Sequence, residues 1–169
     1  MCWCDGDARF DGDLNDMTSD NDLRTVSFLS AAHAEGLREL SREPDFTAAT
    51  ALSVDLSPED AASYIATATK AREEGRSYIF VLTEGTEVLG VCRLIGVLGV
   101  PRLIVAIGGD YRGQGNGSFL VKRVLQVAFE ELQLERVTAS GACLRLLTQF
   151  GQLDGNGLTR EAHKAAGQA

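Results

Sequence analysis

Residues 102–118 read RLIVAIGGDYRGQGNGS. The first six, entered through Pro101, are mostly apolar and β-branched, which predicts a strand over Arg102 to Ile107. Five glycines then fall between 108 and 117: Gly108, Gly109, Gly113, Gly115 and Gly117. Behind them Leu120, Val121, Val124, Leu125, Ala128 and Leu132 recur at helical spacing, with Lys122, Arg123, Gln126, Glu130 and Gln133 on the opposite side. The segment therefore predicts a strand, a glycine-rich turn and an amphipathic helix. A helix start leaves N–H groups without partners and carries the positive end of the helix dipole. Glycines let those N–H groups crowd an anion with no Cβ in the way, and Arg112 adds a positive charge beside them.

Several phosphate-binding patterns share this outline. A nucleotide P-loop needs Gly-Lys-Ser/Thr, and the first lysine after the turn is Lys122, well inside the helix. A dinucleotide fold needs an acid at the end of the next strand, which here ends Thr138-Ala139-Ser140. A turn that holds no ligand stays open on spacing alone.

Outward from this segment, Leu23 to Phe28 alternates as a first strand. Ser30 then precedes a helical stripe of Ala31, Ala34, Leu37 and Leu40, which Pro44 is expected to stop. Residues 45–56 read as loop. Ser57-Pro58-Glu59-Asp60 opens a second helix, with a cap, a proline at the first position and two acids at the positive end. Ser77 to Thr83 and Glu87 to Ile95 form a hairpin around Glu84-Gly85-Thr86. After the amphipathic helix come a short strand, Arg136 to Ala139, and a short helix carrying Leu144, Leu146, Leu147 and Phe150. Helices alternate irregularly with a largely hairpin-built sheet, which predicts an α+β fold rather than a doubly wound one.

The chain has 169 residues, 24 Asp+Glu against 16 Lys+Arg, and a net charge of -8. Residues 1–22 account for -6 of this, with Asp5, Asp7, Asp11, Asp13, Asp16, Asp20 and Asp22 against Arg9. We read 1–22 as an acidic, flexible tail and 23–169 as one domain. The nearly neutral body argues against a broad nucleic-acid surface. Asp11, Asp13, Asn15, Ser19 and Asp22 have calcium-loop spacing, but Asp16 stands where the turn wants glycine. Cys2 and Cys4 could begin a metal site, but no second pair completes it, so no metal is expected. The four cysteines, with no apparent export signal or membrane-length apolar run, lead us to expect a reduced, cytoplasmic protein that does not contact membrane.

Arg112-Gly113-Gln114-Gly115-Asn116-Gly117 resembles the Arg/Gln-x-x-Gly-x-Gly/Ala signature of the GNAT acetyltransferases. The run from Asp110 through Glu135-Arg136-Val137 is similar to the branch that acetylates N-terminal amines of ribosomal proteins and related small amines. The likeness is strongest from Tyr78 to Phe150. It implies a mixed, mostly antiparallel sheet with helices on both faces and acetyl-CoA as co-substrate. By resemblance, the backbone of Arg112, Gly113, Gln114, Gly115, Asn116 and Gly117 would hold the pyrophosphate. Val105, Ala106 and Ile107 would bond the pantetheine arm, and the strands 102–107 and 136–139 would splay to admit the thioester. The acceptor would be a small amine or a protein N-terminal amine.

Relatives often carry a glutamate early in the strand before the turn, and Arg102 stands near that place. Glu84 and Glu87 read as solvated turn residues, so no base is assigned. Register against the family's Asn-x-x-Ser puts Ser140 at the Asn place, as a cofactor contact. It puts Cys143 at the Ser place, as a candidate acid for the leaving thiolate. The resemblance also implies two C-terminal strands. Gly157 to Ala162 reads as the first and the last reads as missing, so either a second copy covers the sheet edge, as in a homodimer, or the fold is truncated and inactive. The alternative is a degenerate GNAT-like module that binds CoA or a protein partner without catalysis.

Overall fold

The computed structural model describes residues 23–168. The acidic segment 1–22, with Cys2, Cys4 and the calcium-like spacing, lies outside them. Seven strands form one sheet: β1 (Arg24–Phe28), β2 (Ser77–Glu84), β3 (Glu87–Ile95), β4 (Arg102–Ile107), β5 (Arg136–Thr138), β6 (Leu153–Asp154) and β7 (Gly157–Thr159). Their order is β1-β2-β3-β4-β5-β7-β6. Every pairing is antiparallel except β4 with β5, which are parallel and share a single rung, Arg102 opposite Thr138.

Six helices cover the two faces: α1 (Ala34–Leu40), α2 (Pro44–Thr50), α3 (Pro58–Glu73), α4 (Asn116–Gln126), α5 (Gly141–Leu147) and α6 (Arg160–Gly167). Strand alternation divides the core between those faces. On one, Phe80, Leu82, Cys92, Leu94 and Leu103 meet Leu120, Val124 and Leu125 of α4, and Leu147 of α5. On the other, Ile79, Val81, Val91 and Ala106 meet Leu37, Phe46, Ala61 and Ile65 of the first three helices. This is the expected α+β arrangement.

Most elements fall where the periodicity put them. Ser57 caps α3, its Oγ accepting the Asp60 N–H at 3.1 Å. Two segments differ. Residues 45–56 are not all loop, because Pro44 opens α2 instead of ending the helix before it. Proline suits a first helical turn, where its missing N–H costs nothing. The apolar stripe of α2 was hidden because two of its three buried residues are threonines. Thr47 and Thr50 become compatible with burial by donating their hydroxyls to Pro44 O (2.9 Å) and Phe46 O (2.8 Å), while Phe46 carries the apolar contact.

The C-terminal truncation takes a form other than a lost strand. Gly157–Thr159 is the second member of the pair, Leu153–Asp154 is the first, and Arg160–Gly167 is helix. Alternation over two or three residues is too short to read as strand. The hairpin is held from below by Arg136, whose Nη2 donates to Asp154 O at 2.5 Å. The guanidinium lies so close to Gly157 that any Cβ there would clash with it. Because the edge strand β6 has only two residues, few ladder groups are left for a second copy to cover.

His33 closes the turn between β1 and α1. Its Nδ1 accepts the Ser30 N–H at 3.0 Å, and Ser27 Oγ lies 3.4 Å from Nε2. Burial pushes its pKa below 6.5, partly opposed by the hydrogen bond at Ser30. Below that value the unfolded chain takes up a proton that the folded ring resists, so stability falls as pH drops below 6.5 and levels off beneath the folded pKa. Urea midpoints measured from pH 7.5 down to 5 should show this decline, and His33→Gln should make it shallower.

Candidate functional site

The parallel pairing of β4 and β5 ends as soon as it begins. Thr138 commits both its N–H (2.8 Å) and its Oγ1 (2.9 Å) to Pro101 O. One residue later Ala139 donates to Asn156 O of the β6–β7 turn (3.0 Å), away from β4. Ser140 then precedes α5, and the chain leaves the sheet. Beyond Arg102, β4 therefore has β3 on one side and an opening on the other. The expected splay is present as a slot between β4 and the segment 139–143.

The slot has defined walls. Cys143 lies against β4, where its Sγ accepts the Val105 N–H at 3.3 Å and is 3.9 Å from Val105 O. By alternation the backbone groups of Ala106 point to β3, so Val105 and Ile107, not Ala106, present theirs to the slot. At the base, Arg102 Nη2 donates to Ser140 Oγ at 2.9 Å. Cys92, opposite Val105 on β3, is fully buried; burial and then the nearby Cys143 thiol push its pKa well up, which keeps it protonated and inert.

At the far end of β4 the glycine turn leads into α4. Gly113 (φ +73°) and Gly115 (φ +79°) take left-handed backbone, which other residues adopt at a cost. A Cβ on either would meet no atom within 4 Å, so the space over the turn is open. Residues 112–115 are exposed, and α4 directs its first N–H groups into this space. Asn116 is the exception, being buried at 4% exposure. Its Nδ2 donates to Tyr111 O (2.9 Å) and its Oδ1 accepts from Arg24 Nη1 (3.0 Å), while the Arg24 guanidinium sits over the Phe119 ring. The Asn116 side chain thus locks the turn, leaving its backbone to face outward with its neighbours.

Arg112 Nε donates to Ile107 O at 3.0 Å, and its Nη1 is 3.4 Å from Asp45 Oδ2 at the start of α2. Gln114 holds Asp110 O at 2.8 Å. Sequence reasoning missed Glu43, while Glu87 is exposed as it was read. Glu43 accepts the Gly109 N–H at 2.7 Å, and the exposed Glu87 carboxylate lies near the Tyr111 phenol, whose pKa burial and then that negative charge hold above its ordinary range. Glu84 is exposed on its turn. No cluster of three metal-ligating side chains occurs among the described residues. Nor is any helix among them long and apolar enough to cross a membrane.

Solved structures with this architecture include the spermidine N-acetyltransferase of Vibrio cholerae in complex with CoA and spermine. It has 13% identity, a TM-score of 0.65, and covers 84% of this chain and 98% of that one. The ribosomal-protein-S5-alanine acetyltransferase of Vibrio fischeri has 12% identity, a TM-score of 0.65 and coverage of 83% and 85%. The microcin C7 self-immunity acetyltransferase, in complex with acetyl-CoA and AMP, has 15% identity, a TM-score of 0.60 and coverage of 70% and 69%. At these identities the likeness is one of fold. No curated protein sequence matches the chain. The model of the acetyltransferase (GNAT) domain matches residues 24–143. The chain belongs to the GNAT acetyltransferase family and is an acyltransferase by class.

Asn116→Ala would leave the Tyr111 carbonyl and an Arg24 N–H to find other partners. We expect a loss of about 1–3 kcal/mol in unfolding free energy, read by urea denaturation.

Proposed function

We propose that this protein transfers the acetyl group of acetyl-CoA directly to an amine, either a small molecule or a protein N-terminus. The observation that carries the reading is the slot beside Val105 ending at a turn with open space above two left-handed glycines. The pyrophosphate would lie over the turn, against the backbone of 112–117. Its fit rests on that open space, on the N-terminus of α4 and on the adjacent Arg112. The pantetheine arm would follow β4 into the slot, toward the backbone groups of Val105 and Ile107.

In the transfer the neutral amine nitrogen bonds to the thioester carbon, the carbon–sulfur bond breaks, and the amine gives up a proton as the thiolate gains one. Three groups on the slot bear on these changes. The Val105 N–H can turn from Cys143 to a carbonyl oxygen, where it would stabilise developing negative charge. Cys143 can pass its thiol proton to the leaving thiolate and regain one from solvent. Ser140 fixes the base of the slot through Arg102. No carboxylate touches Val105, Ser140 or Cys143 among the described residues, so proton loss from the amine goes to solvent in this reading. A second copy is not required, because the edge strand it would cover has two residues.

The reading is tested with acetyl-CoA titration and thiol release on an amine panel. The wild-type chain should bind acetyl-CoA and release thiol only when an amine is present. Gly115→Val would force a β-branched residue into left-handed backbone, at about 1–2 kcal/mol in stability. It should stay folded yet bind acetyl-CoA at least about tenfold more weakly, the cost of losing a hydrogen bond to a charged group. Unchanged affinity would displace the cofactor from the turn. Binding with no thiol release from any amine would favour the non-catalytic CoA-binding module.

A further inference from the structure

The charge on the acceptor side of the slot says what kind of amine fits there. This inference rests on the acetyl-transfer reading above. Leu103, Val105 and Ile107 face α4 and α5, so Arg102, Ile104 and Ala106 face the other way. The cofactor is expected along α4 and its turn, which leaves that other face for the acceptor. Pairing puts Arg93 beside Ile104, and Ile95 and Thr138 beside Arg102. Here α2 covers the sheet as far as Arg93, whose Nη1 donates to Thr50 O at 2.7 Å. Arg102 is exposed, and its one partner among the described residues is the neutral Ser140 hydroxyl.

No carboxylate pairs with Arg102 among the described residues. Asp154 is 3.6 Å from Arg136 Nη1, and Asp45 faces Arg112. Glu43 takes the Gly109 N–H and Glu87 lies near the Tyr111 phenol, both at the opposite end of β4. The base of the slot therefore presents a guanidinium whose one side-chain partner among the described residues is neutral. Guanidinium is a fork for carboxylate or phosphate and repels cations. Three residue steps along the strand take Arg102 to Val105, about 10 Å, a span the Arg102 side chain itself shortens.

We propose that the acceptor is an anionic amine, in which a carboxylate or phosphate lies within a residue or so of the reacting nitrogen and is bound by Arg102. Polycationic amines are poor acceptors on this account. The anion can come from a small molecule or from an acidic residue next to a peptide N-terminus.

The test compares kcat/KM by thiol release for the C-terminally amidated dipeptides Ala-Glu and Ala-Gln, which differ only in the side-chain carboxylate, for phosphoethanolamine and for spermidine, at low ionic strength. Ala-Glu should exceed Ala-Gln by about tenfold, mostly through KM, as expected for one exposed charge-assisted contact. Spermidine should be the poorest. A strong signal from phosphoethanolamine would place the anion on a small molecule, and a weak one on a peptide. Arg102→Gln should bring Ala-Glu and Ala-Gln within about twofold, while Arg102→Lys keeps part of the preference. Spermidine or Ala-Gln equalling Ala-Glu would overturn the proposal, as would a preference that survives Arg102→Gln. Acetyl-CoA binding without thiol release from any of the four would also overturn it. Failure to bind acetyl-CoA at all would overturn the underlying reading as well.

Discussion

A single rung of parallel pairing, Arg102 opposite Thr138, decides the shape of this molecule. Parallel strands that go on pairing close a sheet. Here Thr138 spends its N–H and hydroxyl on Pro101, and Ala139 turns to the β6–β7 hairpin, so β4 continues alone past Arg102. Backbone groups in a sheet interior demand partners. At Val105 the demand is met by Cys143, a weak sulfur acceptor, not by a strand. A group held by a weak partner is one that a better acceptor can take. The slot, the position of Cys143 and the bond between Arg102 and Ser140 all follow from that one interrupted ladder.

The glycine turn depends on the same geometry. It begins where β4 ends, tied back by Arg112 to Ile107 O, and it is locked from inside by Asn116. A side chain buried beneath the loop, bonded to Arg24 of the edge strand β1, makes the turn part of the sheet framework. The amides above it keep their direction without a ligand, which reduces the ordering cost of binding an anion. Acids gathered near Tyr111 and the Arg102 guanidinium at the base of the slot lie at opposite ends of β4, so the acceptor face is electrically polar along its length.

The readable parts of the chain were those in which local pattern and final environment agree. The run RLIVAIGG followed by a 3.6-residue stripe could only be strand, turn and helix, and the GNAT resemblance rested on it. Ser57-Pro58 carried its own cap. What stayed hidden was set by distant partners. Thr47 and Thr50 look like loop residues until their hydroxyls bond within α2. Leu153–Asp154 is a strand through its pairing with β7, and Arg136, eighteen residues before Asp154, grips the hairpin. The polar links of the site, Glu43 to Gly109, Glu87 to Tyr111 and Arg102 to Ser140, join residues from 24 to 66 positions apart, and no spacing rule announces them. Cys143, by contrast, was reached by register from the family pattern, and the structure sets it against β4.

The central claim is that the interrupted ladder offers the Val105 amide to the cofactor. A titration of 15N-labelled protein with acetyl-CoA, followed by amide NMR, tests it most directly. The account predicts saturable shifts at Val105 and Ile107 and at the amides of 113–117, with the Val105 N–H leaving the Cys143 sulfur for a carbonyl oxygen. Shifts confined to another surface, with Val105 and the turn unmoved at saturation, would contradict it.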